Sequence, residues 1–388
     1  MSAVLIAPPG LSGVVVADTE IGDVRGEEGF YHYRQYPAIE LARRSSFEQV
    51  WHLFAHGHLP DDRELAAFTR TVAQLRPIPP EIGGIVASAA LLGVPRTELS
   101  ALRTALSAVG AATGARPLWD ATDEEGLADA LRAAAMTPTL LAAMHRLRNG
   151  DDPVPPREDL PVAANWLYML TGHEPAPQYA RAVEQYLIAT VDHGFNASTF
   201  TARVVASTGA DVYAAICGAI GAFSGPLHGG APDRALDSLD EIAAHGDAAG
   251  WARQQLAQRR RIMGFGHAVY RTIDPRSELL RGIAVGLGGP LVERALEAER
   301  AVTDVLAQAH PEHPRYANVE FYAGVVMESC GIPRSMFTPT FAVSRVVGWC
   351  ANILEQSRSR KIIRPSARYV GVPPSRVSPA TEGRGVRR

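Results

Sequence analysis

Apolar residues return at helical spacing through most of this chain. From Gln178 to Val191 (QYARAVEQYLIATV), and again where Leu291, Ala295, Val302, Val305, Leu306 and Ala309 recur, the period is near 3.6, which predicts amphipathic helices. Alanine-rich stretches such as SAVGAATG and ADALRAAAM suit close helix packing. Strand-like alternation is confined to the N-terminal region, where GVVVADTEI and GFYHYRQYP flank VRGEEG and predict a small β-hairpin. Asn149-Gly150 reads as a helix stop, followed by a proline-rich loop over Asp151 to Leu160. The last stretch, VPPSRVSPATEGRGVRR, has no apolar period and is expected to form a mobile tail. No repeat of fixed period is present.

Composition narrows the chemistry. With 388 residues, 46% of them hydrophobic and 20% charged, the chain can bury a large core, and two domains are expected. A formal charge of -3 provides no field that would select nucleic acid or an anionic membrane. No apolar run reaches the length of a bilayer span, and the start MSAVLIAPPGLSG lacks the pattern of a signal peptide. Cys217, Cys330 and Cys350 are odd in number and far apart, which argues against a disulfide framework or a zinc site and suits a reducing cytoplasm. Lys361 is the single lysine, so Schiff-base and P-loop chemistry is disfavoured.

The polar islands have a common setting. His193 in DHGFN, His228 in GPLHGG and His267 in GFGHAVYRTIDPR each stand beside glycine. Glu320 sits inside the apolar run NVEFYAG, where desolvation is expected to raise its pKa and make it a usable base. Arg276 closes the His267 segment, Arg345 interrupts FAVSRVVGW, and Arg364 precedes Pro365. Each feature alone has a plain structural reading, as a capping or packing group. Together they suit an anionic substrate with carbonyl chemistry, because guanidinium forks match carboxylates and imidazoles move protons near neutral pH.

GFGHAVYRTIDPR resembles the signature of the citrate synthase family, glycine-aromatic-glycine-histidine-x-Val-x-Arg/Lys-x-x-Asp-Pro-Arg, with every fixed position filled. GPLHGGA, DHGFNAST, NWLYMLTG, NVEFYAG, SRVVGW and IIRP are similar to that family's landmarks, in order, from Gly10 to Gly371. The likeness is to the shorter bacterial enzymes of actinobacterial type.

The resemblance implies an all-α two-domain fold with a small N-terminal hairpin. Residues 1–229 and 331–388 would form the large domain and 230–330 the small one. It implies condensation of acetyl-CoA with oxaloacetate and hydrolysis of citryl-CoA, without metal or resident cofactor, in a cytoplasmic homodimer. Glu320 would take the methyl proton, His228 would stabilise the enolate, and His267 would polarise the ketone. His193, Arg276, Arg345 and Arg364 would bind oxaloacetate, with Arg364 supplied across the dimer interface, and Arg271 would contact CoA. Departures from the pattern are Glu320 for the usual aspartate, Pro232 after HGGA in place of asparagine, and Ala268 where bacterial members commonly carry arginine. Two alternatives stay open on the residues: a 2-methylcitrate synthase using propionyl-CoA, and a weakly active protein that binds CoA esters or dicarboxylates.

Overall fold

The structure is a computed structural model that describes residues 5–92, 98–226, 228, 232–267 and 269–374. The chain begins with a three-stranded antiparallel sheet, β1 (Gly22–Arg25), β2 (Phe30–Tyr33) and β3 (Tyr36–Pro37). Helices follow: α1 (Ala38–Arg44), α2 (Phe47–His56), α3 (Asp62–Gln74), α4 (Gly83–Leu91), α5 (Glu98–Thr113) and α6 (Asp123–Arg148). Next come α7 (Val162–Thr171), α8 (Pro177–Thr190), α9 (Ala197–Ala206), α10 (Val212–Phe223), α11 (Pro232–His245) and α12 (Ala248–Ala257). The last four are α13 (Pro275–Leu287), α14 (Pro290–Ala309), α15 (Val319–Ser329) and α16 (Phe337–Arg358). The fold is all-α apart from the small sheet, as the periodicity predicts. Among the described residues no helix is long and apolar enough to cross a membrane.

Local signals set the helix starts. Ser46 with Gln49, Asp61 with Glu64 and Thr122 with Glu125 form reciprocal capping boxes that satisfy the first free amides of α2, α3 and α6. Asn149 and the left-handed Gly150 end α6 where the sequence places a stop.

The core gathers around α16, which is buried on nearly all sides and packs against α6, α8, α9 and α10. Gly348 is the point of closest approach. A Cβ there would lie 2.2 Å from the carbonyl oxygen of Val191, just beyond the end of α8, so only glycine lets the two backbones meet. A second group of helices packs together, α13 and α11 on α15 and α12 on α14, and reaches the first group through α8.

The hairpin differs from its expected register. β1 is Gly22–Arg25, pairing Gly22 with Tyr33 and Arg25 with Phe30, while residues 13–21 form no strand. Tyr31 and Tyr33 decide this, because their hydroxyls donate to the carbonyls of Ala189 (2.9 Å) and Ile188 (3.0 Å) at the end of α8. With β2 held there, a four-residue turn places the pairing partner directly before Gly26, and Val14 to Val16 are left unpaired. The stretch expected to form a mobile tail lies outside the described residues from 375 onward. All three cysteines are free, and burial pushes the Cys330 and Cys350 thiols up to about 12.

Replacing Gly348 by alanine is expected to destabilise the protein by about 1–3 kcal/mol, the usual cost of overpacking. Chemical denaturation with a lower midpoint and an unchanged slope would show it.

Candidate active site

Two local devices, one of backbone and one of side chain, assemble the site. Gly264 and Gly266 adopt left-handed conformations (φ 83° and 79°), and the chain between them pairs with residues 316–318. The Gly266 amide donates to the Tyr316 carbonyl and the Asn318 amide to the Gly264 carbonyl, both at 2.8 Å. The Asn318 side chain adds a bond to the Gly266 carbonyl at 2.9 Å and also caps α15 by accepting from the Glu320 amide at 3.0 Å. His267 and Glu320 are thereby brought to one place. Both glycines are held at positive φ, and a Cβ at Gly264 would crowd Phe321 at 3.1 Å.

The second device is the carboxylate of Asp274, which caps α13. It accepts from the Arg276 amide and Nε at 3.0 Å each, from Arg276 Nη2 at 2.8 Å, and from the Val319 amide at 3.2 Å. Burial opposes its charge, but Arg276 outweighs that and holds the carboxyl below its ordinary value. Arg276 is thus already paired, through Nε and Nη2, within its own chain.

A cleft of about 670 Å³ is lined by His193, His228, His267, Arg276, Glu320 and Arg345, together with Arg261, Asn318 and Val14 to Val16. Six of the eight expected site residues therefore share one cavity. Arg271 lines a neighbouring cavity of about 890 Å³, which meets the first along Arg261, Gly266, His267 and Asn318. Arg364 is exposed in the segment after α16 and does not line the cleft of its own chain. The adjacent Ile363 amide is held by the Ser207 hydroxyl at 3.0 Å. Pro232 opens α11, and Ala268 lies outside the described residues.

The protonation pattern follows from burial and from the fixed donors. His267 Nδ1 accepts from the Val269 and Tyr270 amides at 2.9 and 3.0 Å, so the ring proton belongs on Nε2. Nε2 in turn lies 3.1 Å from Arg276 Nη2, and two N–H donors facing each other mark a place for an acceptor oxygen. His228 Nε2 accepts from the Ser198 amide at 3.3 Å and lies 2.8 Å from the Ser198 hydroxyl, which leaves its proton on Nδ1. Burial first, and nearby Arg345 or Arg276 next, lower both imidazoles to about 4. Both are neutral donors at pH 7.

His193 is pushed well below 6.5 by burial, then by Arg276, Arg345 and His267, and its Nε2 lies 2.9 Å from the Tyr270 hydroxyl. Arg345 is buried and donates through Nε to the Thr190 carbonyl at 2.9 Å. Glu320, in the first turn of α15, is raised to about 7 by burial, which exceeds the opposing pull of Arg276 and Arg261. The raised pKa expected for this carboxylate from its apolar setting is present. An acid–base group near neutrality thus faces two neutral hydrogen-bond donors across a cleft rich in arginine.

Asp274, Tyr270 and Ser198 escape a reading by residue type, although the first two lie inside the His267 motif. Ser198 lies in the DHGFNAST stretch, but its contact with His228 is shown only by the packing of α9.

The whole chain has known relatives. The family model described as "Citrate synthase, C-terminal domain" matches residues 10–366. Citrate synthase of Deinococcus radiodurans is 38% identical, covering 93% of this chain and 95% of that protein. The crystal structure of citrate synthase from Thermotoga maritima superposes with a TM-score of 0.82 at 34% identity, covering 96% of this chain and 98% of that one. The Thermoplasma acidophilum citrate synthase, solved as a ternary complex with carboxymethyl coenzyme A and oxaloacetate, gives a TM-score of 0.86 at 28% identity, with coverage of 96% of this chain and 98% of that one. The chain belongs to the citrate synthase family.

Proposed function

We propose that this protein condenses acetyl-CoA with oxaloacetate and hydrolyses the citryl-CoA formed, releasing citrate and CoA. The observation that carries the reading is the meeting of Glu320, titrating at about 7, with two neutral imidazole donors in one arginine-lined cleft. A thioester methyl group is a very weak acid, so its proton leaves only if the developing enolate is stabilised as it forms. Glu320 takes that proton while His228 Nδ1–H donates to the thioester oxygen. The enolate carbon then attacks the ketone carbon of oxaloacetate. His267 Nε2–H polarises the ketone and supplies the proton to the new alkoxide. Water adds to the thioester carbonyl, and CoA leaves as the thiol.

Oxaloacetate brings two carboxylates to a region where Arg276 and Arg345 are buried and both act on His193. Positive charge already desolvated in the cleft is available to a dianion without further loss of solvation. Arg364 completes the set from a second copy of the chain, a role supported by its exposure and its distance from its own cleft. Arg271, in the adjoining cavity, contacts the CoA ester. No resident cofactor enters the reaction as written. The segment 230–330, carrying His267, Arg276 and Glu320, forms a smaller domain that closes on the remainder when oxaloacetate binds. Three free thiols suit a cytoplasmic setting.

The direct test is CoA release, followed with a thiol reagent, from acetyl-CoA and from propionyl-CoA with and without oxaloacetate. Oxaloacetate-dependent release with acetyl-CoA as the better ester is expected, and release independent of oxaloacetate would refute the reading. Glu320→Gln is expected to lower kcat by about 10²–10⁴-fold, the usual contribution of a general base. The unprotonated carboxylate is the active form, so kcat/KM for acetyl-CoA should fall roughly tenfold per unit as pH drops below about 7. Both histidines stay neutral through that window, and the limb should vanish in Glu320→Gln. Co-expressing Arg364→Leu with Glu320→Gln chains is expected to restore about a quarter of wild-type activity, because half of the dimers regain one intact site.

A further inference from the structure

A second cluster of chemistry-bearing side chains lies at the junction of α2 and α3. None of its members lines either cavity of the cleft. The stretch His52-Leu-Phe-Ala-His56-Gly-His58 puts two histidines one helical turn apart on α2 and a third just past the left-handed Gly57. The His52 ring packs at a tilt against His56 and edge-on against His58, with centroids 4.4 and 5.0 Å apart. Glu64, from the first turn of α3, faces His58.

Among the described residues, His52, His58 and Glu64 each offer one ligand atom within 4.8 Å of the other two. His58 Nε2 and Glu64 Oε1 are 3.2 Å apart. Zinc holds nitrogen and oxygen ligands at about 2.0–2.1 Å, which sets neighbouring ligand atoms about 3.3 Å apart in a tetrahedral shell. That pair already has the required spacing, and the His52 ligand atom lies within 4.8 Å of both.

The surrounding bonds orient the ligands as outer partners do in metal sites. His52 Nδ1 lies 3.0 Å from the His58 carbonyl oxygen, so it carries the ring proton and leaves Nε2 with the lone pair. His58 Nε2 and Glu64 Oε1 share a hydrogen bond at 3.2 Å, and His58 Nδ1 lies 3.4 Å from the His56 carbonyl oxygen. The second carboxylate oxygen, Oε2, is held by the Asp61 amide at 2.9 Å. A metal ion would take the place of the proton shared by the imidazole nitrogen and the carboxylate, so its binding releases a proton.

We propose that His52, His58 and Glu64 bind a divalent transition-metal ion of the Zn²⁺ type, which clips the end of α2 to the start of α3. His56, packed against His52, is placed to supply a fourth ligand or to shield the ion. The ion is structural in this reading, since the site lies outside the catalytic cleft.

The test is titration of untagged, metal-free full-length protein with Zn²⁺ by calorimetry, and with Co²⁺ by visible absorption. Expected are one equivalent bound, a rise in Tm with Zn²⁺, and the intense visible bands of four-coordinate Co²⁺. His58→Ala and Glu64→Gln should each weaken binding by at least about tenfold. His58 is exposed and glutamine preserves the capping box of α3, so both variants fold. His228→Asn should leave the titration unchanged. No saturable binding would overturn the proposal. So would binding that persists in His58→Ala, or that is lost in His228→Asn, which would put the metal in the cleft or on a thiol.

Discussion

The buried carboxylate of Asp274 is the constraint on which the site depends. It caps α13, takes two guanidinium bonds from Arg276, and reaches across to the first amide of α15. One side chain therefore fixes the relative placement of Arg276 and Glu320, which lie 44 residues apart by number (320 − 276). Breaking such a buried pair from one side typically costs about 3–5 kcal/mol, because the remaining charge stays desolvated. The antiparallel contact between residues 264–266 and 316–318 serves the same end through backbone bonds, setting His267 beside the start of α15.

Electrostatics in the cleft follow from this crowding. Arg276 and Arg345 are buried near three imidazoles, and like charge together with lost hydration keeps those imidazoles neutral. The same burial raises Glu320 toward neutrality, although its arginine neighbours pull the other way. A neutral imidazole donates a hydrogen bond without repelling a nearby cation. A carboxylate near 7 is basic enough to take a proton yet ionised at working pH. Both properties come from one cause, burial in a cleft lined by residues of α13, α15, α16 and β1.

Much of the architecture was legible from periodicity. The helices over 177–190 and 290–309 lie within a residue of their expected bounds, because each has one clear apolar face and a loop signal at its start. The hairpin was legible in kind but misplaced in register. VVVADTEI looks like a strand, yet the tyrosine hydroxyls anchored on α8 choose which residues pair, and those anchors are 158 and 155 residues away in sequence. The glycines of GFGH were legible as special positions, while their work, positive φ and contact with Phe321, required coordinates.

By itself the sequence determined the helical class, the family signature and the residue types that meet an anionic carbonyl substrate, because each is written in local order and spacing. Tertiary structure decided the rest. It joined His193, His228, His267, Arg276, Glu320 and Arg345 in one cavity, left Arg364 outside it, assigned the imidazole protons through amides of Ser198, Val269 and Tyr270, and placed the His52 cluster beside Glu64. Protonation and reach depend on which distant groups share a buried space, and only the packing of the helices sets that.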